Sequence, residues 1–60
     1  MKIEVQCNGK DLLTYPCKPF LAFDDAVNIT KEIVANTRKD YPNDQFRGRV
    51  VASRKVSAWV

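Results

Sequence analysis

Arg47, Arg49, Arg54, Lys55 and Trp59 fall within one acid-free stretch, Gln45 to Val60. Guanidinium groups grip carboxylates and phosphates through two parallel hydrogen bonds, and an indole adds a flat surface that tolerates cations. These five residues are the candidate partner-binding set, with Ser53 and Ser57 as extra hydrogen-bonding groups. The rest of the chain carries six Lys or Arg against seven Asp or Glu, so the whole net charge of +3 arises in this stretch. A basic segment on a balanced domain is suited to docking on something negative.

Other chemistry finds little support. The chain has no His, so the usual proton shuttle near neutral pH is missing. Gly9 and Gly48 are the only glycines and form no phosphate loop. Asp24-Asp25, the one adjacent acid pair, reads as a helix cap. Cys17 beside Lys18 has no base nearby in sequence. Two thiols without His make a zinc site depend on carboxylates or a second chain. We therefore expect no enzyme activity, no cofactor and no metal site. Cys7 and Cys17 lie at unequal distances from a hairpin tip, too far apart for a disulfide, and read as reduced thiols in a cytoplasmic protein. Asn28-Ile29-Thr30 matches a glycosylation sequon by chance, inside a helix.

The elements that must position these groups follow from periodicity. Ile3, Val5 and Cys7 alternate with Lys2, Glu4 and Gln6, the pattern of a half-buried strand. Asn8-Gly9 signals a hairpin, since both residues accept positive φ. The return strand runs over about residues 10–17. A two-residue loop sets Leu12 opposite Val5. A three-residue loop, which we favour, places Leu13 and Tyr15 on the face of Ile3 and Val5. Pro16 and Pro19 put this strand at a sheet edge. Asp24 or Asp25 then caps an amphipathic helix whose apolar arc holds Ala26, Val27, Ile29, Thr30, Ile33, Val34, Thr37 and Tyr41. Arg38 and Lys39 suit its last turn, and Pro42-Asn43-Asp44 ends it.

From Phe46 onward one parity reads Phe46, Gly48, Val50, Ala52, Arg54, Val56, Ala58, Val60, and the other Arg47, Arg49, Val51, Ser53, Lys55, Ser57, Trp59. Because Ser53-Arg54-Lys55 lacks Gly, Asn and Asp, one long strand bulged near Arg54 is favoured. A hairpin with that tripeptide as its loop preserves the face pattern equally well. Assembled, the chain is a single α+β domain, 1–60: ββαβ, a three-stranded antiparallel sheet in order 2-1-3 with the helix on one face. The long last strand overhangs, and its Val56, Ala58, Trp59 and Val60 offer an edge for a homodimer.

Sixty residues, 45% hydrophobic and 28% charged, suit one small globular domain. Met1 leads to the expectation of a complete short protein, without a signal peptide and without a membrane span. Two functions fit the basic strand. The first is a protein that clamps an acidic surface of a larger host or cellular protein and modulates it, with Arg47, Arg49 and Trp59 as anchors. The second is a nucleic-acid binder using the same strand; four phosphate contacts on duplex DNA imply a salt slope of about −3.6. The exclusion of acids, the preference for Arg over Lys and the Trp on the polar face favour binding over a plain solvated surface. The modest net charge and the acids of the helix favour the protein partner. The layout resembles that of short phage inhibitors of bacterial RNA polymerase, with Arg47-Gly48-Arg49 as the matching feature, and that of small ββαβ antitoxins. The likeness is architectural over most of the chain, and it implies a viral inhibitor or toxin-neutralising effector.

Overall fold

In the computed structural model, which describes Met1–Val60, two strands and a tight turn open the chain. Strand β1 (Lys2–Cys7) and strand β2 (Lys10–Pro16) pair antiparallel around Asn8 (φ 53°) and Gly9 (φ 82°). Two consecutive positive φ angles are what a two-residue primed turn requires. Cys7 stands opposite Lys10 and Gln6 opposite Asp11, after which the register shifts to set Val5 opposite Leu13 and Ile3 opposite Tyr15. The expected facing of Leu13 and Tyr15 is thus present, but the three-residue loop is not. The Asn-Gly turn keeps its two-residue form, and a bulge at Leu12 supplies the extra residue that restores apolar parity.

Helix α1 spans Phe23–Asp40. The anticipated aspartate cap is absent. Ala22 is the N-cap residue, extended at φ −68° and ψ 148°, and no side chain caps the first turn. Asp24 and Asp25 lie inside that turn, where they still oppose the positive end of the helix dipole. The earlier start brings Phe23 against the core. At the far end the Tyr41 N–H donates to Thr37 O at 3.0 Å, and Arg38 and Lys39 occupy the last turn. Ala26, Thr30 and Val34 form the buried stripe. Thr30 satisfies its hydroxyl by donating to Ala26 O at 2.8 Å, so a polar group is buried there without an unpaired donor.

Strand β3 (Phe46–Val51) returns antiparallel to β1, with Gly48 opposite Val5 and Val50 opposite Ile3, giving the sheet order β2-β1-β3. The helix passes so close to β3 that a Cβ on Gly48 would lie 2.6 Å from Thr30 Cγ2 and 3.0 Å from Val34 Cγ2. Ile3, Val5, Ala26 and Val50 make the core cluster, with Leu21, Val27 and Ile33 packed around it. The helix lies over β3 and β1 only; no helix Cα comes within 8 Å of a Cα of β2.

The last segment does not continue as one strand. The chain turns at residues 52–55, with the Ala52 N–H donating to Lys55 O at 2.9 Å, and Val56 bridges back to Val51. Residues 56–60 then run antiparallel along the outer edge of β3. Ser57 N–H donates to Val50 O at 2.9 Å, while Gly48 and Val60 exchange both backbone bonds at 3.1 and 2.9 Å. Pairing therefore moves from Val50–Ser57 to Gly48–Val60, one residue out of step. The Ser57 hydroxyl spans the gap by accepting the Val50 N–H at 2.8 Å. No strand overhangs the sheet: residues 56–60, whose edge was expected to recruit a second copy, pair back on β3 and form the sheet's outermost segment. Partial burial of Val60 beside Gly48 and the otherwise unmet hydrogen bonds of β3 favour this return over an extended, solvated strand. Cys7 and Cys17 are free thiols at opposite ends of β1, Cys17 N–H donating to Met1 O at 3.1 Å. No helix is long and apolar enough to cross a membrane.

Candidate functional site

Because Phe46, Gly48 and Val50 turn toward the helix, strand alternation sends Arg47 and Arg49 to the opposite, open face of the sheet. Register then decides their neighbours. Arg47 stands across from Gln6 and Arg49 across from Glu4 on β1. Arg47 Nε donates to Gln6 Oε1 and Arg49 Nε donates to Glu4 Oε1, both at 2.8 Å. The network extends on each side: Gln6 Nε2 donates to Asp11 Oδ1 at 2.9 Å, and Lys2 Nζ lies 3.8 Å from Glu4 Oε2.

The returning tail adds the third member. Trp59 is carried beside β3 by the bonds that lock Val60 to Gly48. The guanidinium carbons of Arg47 and Arg49 sit 4.1 and 4.4 Å from its ring centroid. Each contact of this type contributes about 0.5–1 kcal/mol at an exposed site. Both arginines are therefore held at two points, through Nε and through the ring. Their terminal Nη groups have no intramolecular acceptor, and Arg47 is exposed while Arg49 is half-buried.

The five residues singled out in the sequence do not form one surface. Arg47, Arg49 and Trp59 come together. Lys55 does not share their face: the turn swings its Nζ to 4.2 Å from the Phe23 ring, on the helix side, where it ties the turn to the start of α1. Arg54 sits exposed at the turn with no hydrogen bond or ion pair. Parity counted along a straight strand fails for both because the backbone reverses at residues 52–55. The charge premise changes too. The basic segment contains no acid, but the neighbouring strands do. On the open face three cations (Lys2, Arg47, Arg49) meet two carboxylates (Glu4, Asp11), and Arg49 is ion-paired. A half-exposed pair of this kind, still screened by solvent, contributes about 1 kcal/mol or less. It positions the guanidinium without cancelling its Nη donors.

Glu4 and Gln6, which anchor the arginines, were not singled out in the sequence. Their signal was the polar parity of β1; which of them met which arginine depended on a register set by the hairpin bulge and the core. Arg47 also borders an open polar depression of about 530 Å³ whose other walls include Arg38 and Asp44. Arg38 is committed there, its Nη2 donating to Phe46 O at 2.8 Å. No three His, Cys, Asp or Glu side chains converge anywhere in the chain. No family model, curated protein or solved structure matches the chain.

Proposed function

We propose that this protein is a non-catalytic interaction protein that lays its Arg47–Trp59–Arg49 cluster on an acidic surface of a larger protein and modulates it, in the manner of a phage-type inhibitor or an antitoxin-like effector. One observation carries the reading: both guanidinium groups are fixed through Nε and the indole, while the outward Nη donors stay unused. Side chains ordered before contact lose less entropy on binding, and Arg and Trp are the residue types that dominate interface energies. The near balance of charge on this face suits a carboxylate-bearing protein better than the continuous phosphate array of a nucleic acid. Two free thiols suit a reducing compartment and support a cytoplasmic site of action.

The test pairs two measurements. Affinity capture from a bacterial lysate with wild type and with Arg47→Ala/Arg49→Ala should recover a partner that the variant loses. Anisotropy titration with random-sequence DNA and RNA at low salt should show no binding at micromolar protein. Identical captured proteins from both forms, or nucleic-acid binding that the double variant abolishes, would overturn the proposal.

A further inference from the structure

The opposite sheet face carries a second surface with different chemistry. Since α1 covers only β3 and β1, the inner face of β2 is open: Leu12, Leu13 and Tyr15 are 49%, 50% and 38% exposed. A hollow of about 360 Å³, lined mainly by apolar groups, lies where Leu12 and Leu13 meet Thr37 and Tyr41. In the link from β2 to α1, Phe20 is 99% exposed. Exposed apolar side chains clustered in this way, rather than scattered singly, are the mark of a contact surface.

We propose that the groove between β2 and α1 is a docking site for a cationic amphipathic helix of another protein. It goes beyond the role assigned to the Arg–Trp face and does not depend on it.

The helical form of the occupant follows from the edge of β2. Strand addition needs a regular row of free N–H and C=O groups. Here the bulge at Leu12 breaks the row and Pro16 ends it without a donor. The face is unobstructed, and α1 offers a parallel ridge against which another helix packs at about 8–10 Å. From Ile29 to Tyr41 the groove runs about 18 Å, room for roughly 12 helical residues.

The charge of the occupant follows from the flank of α1. At 100° per residue, Asp25, Ile29, Glu32, Ile33 and Asp40 share the side toward β2. Val27, Lys31 and Arg38 share the other side, and the Arg38 bond to Phe46 O identifies that side as the β3 side. Asp44 closes the hollow at its far end. Four carboxylates thus border the groove, against Lys10 and Lys39. The same arrangement excludes a second copy as the donor of the helix. The cationic flank of α1 carries only Val27 as an apolar side chain, and Val27 already packs on the core.

The probe is a fluorescein-labelled 14-residue Leu/Lys amphipathic peptide, with a Leu/Glu peptide of the same pattern as control. Saturable binding below about 1 mM is expected for the Leu/Lys peptide alone. Amide shifts of ¹⁵N-labelled protein should concentrate at Leu12, Leu13, Tyr15, Ile29 and Ile33 and spare Arg47 and Arg49. Leu13→Ser and Glu32→Lys, both at exposed positions, should each weaken binding about fivefold to tenfold. Equal binding of the acidic peptide, shifts centred on another surface, or no binding would overturn the proposal. So would a concentration-dependent dimer in sedimentation that perturbs the same amides, because the groove would then belong to a second copy.

Discussion

Replacing Gly48 by Ala adds one methyl group at the closest approach of helix and sheet. Its Cβ would meet Thr30 Cγ2 at 2.6 Å, Val34 Cγ2 at 3.0 Å and the Glu4 carbonyl oxygen at 3.4 Å. Thr30 cannot swing away cheaply, because its hydroxyl is bonded to Ala26 O at 2.8 Å and a β-branched side chain in a helix has few rotamers. Overpacking of this kind costs about 1–3 kcal/mol, while Ala in place of Gly returns about 0.5–1 kcal/mol of backbone entropy. Contacts at 2.6 and 3.0 Å place the cost in the upper half of that range, about 2–3 kcal/mol, so the net loss is about 1–2 kcal/mol. For a chain of 60 residues each kcal/mol moves Tm by about 8 °C, so a fall of about 8–16 °C is expected in thermal melts followed by circular dichroism. Thr30→Ser keeps the hydroxyl bond but removes Cγ2, the nearest obstacle. Combined with Gly48→Ala it should recover about 1 kcal/mol relative to additivity. A Gly48→Ala protein within about 0.5 kcal/mol of wild type, or strict additivity in the double variant, would refute the packing argument.

Three further outcomes are expected. Trp59→Ala removes both cation–ring contacts and should cost about 1–2 kcal/mol, with hydrogen exchange accelerating at the Gly48 and Val50 amides as the tail loosens. Glu4→Gln keeps an acceptor for Arg49 but removes a charge; stability should fall by less than about 1 kcal/mol in urea titrations, and the open face should become more attractive to acidic partners in a salt-dependent way. Asn8→Ala puts an alanine at φ 53° and deletes the acceptor of the Gln45 N–H, a 2.8 Å bond; a loss of about 1–2 kcal/mol is expected by chemical denaturation.

Strand alternation, the Asn-Gly turn and the helical stripe made the ββαβ order and the helix legible, because each is a local pattern tied to burial. What failed depended on contacts between distant segments. The bulge at Leu12 arises where turn preference and apolar parity conflict, and only the paired strand decides which gives way. The reversal at residues 52–55, the hairpin alternative, contains no Gly, Asn or Asp. It is held by bonds made elsewhere, from Val50 to Ser57 and from Gly48 to Val60. The candidate site shows the same division. The choice of Arg47, Arg49 and Trp59 followed from residue type, and they do meet. Lys55 and Arg54 were grouped with them by counting along an extended strand, a period that ends where the chain turns. Charge summed over a segment also misled, since Glu4 neutralises Arg49 from the neighbouring strand.

Both edges of the sheet are irregular for different reasons, and this bears on how the protein can meet a partner. The tail that covers β3 slips by one residue between Ser57 and Val60, while the bulge and Pro16 interrupt β2. Long regular strand addition is disfavoured on either side, so both proposed interactions use side chains on the two faces. Those faces differ in kind. One offers guanidinium donors held against an indole; the other is a greasy groove with an acidic border. The tail belongs to both halves of this arrangement, because the hydrogen bonds that close the β3 edge also place Trp59 between the arginines. Loosening the tail should therefore weaken an acidic partner of the Arg–Trp face while leaving the cationic-peptide affinity of the groove unchanged. Trp59→Ala, assayed with both, separates the two faces by a single substitution, and a parallel loss at both would show that they are not independent.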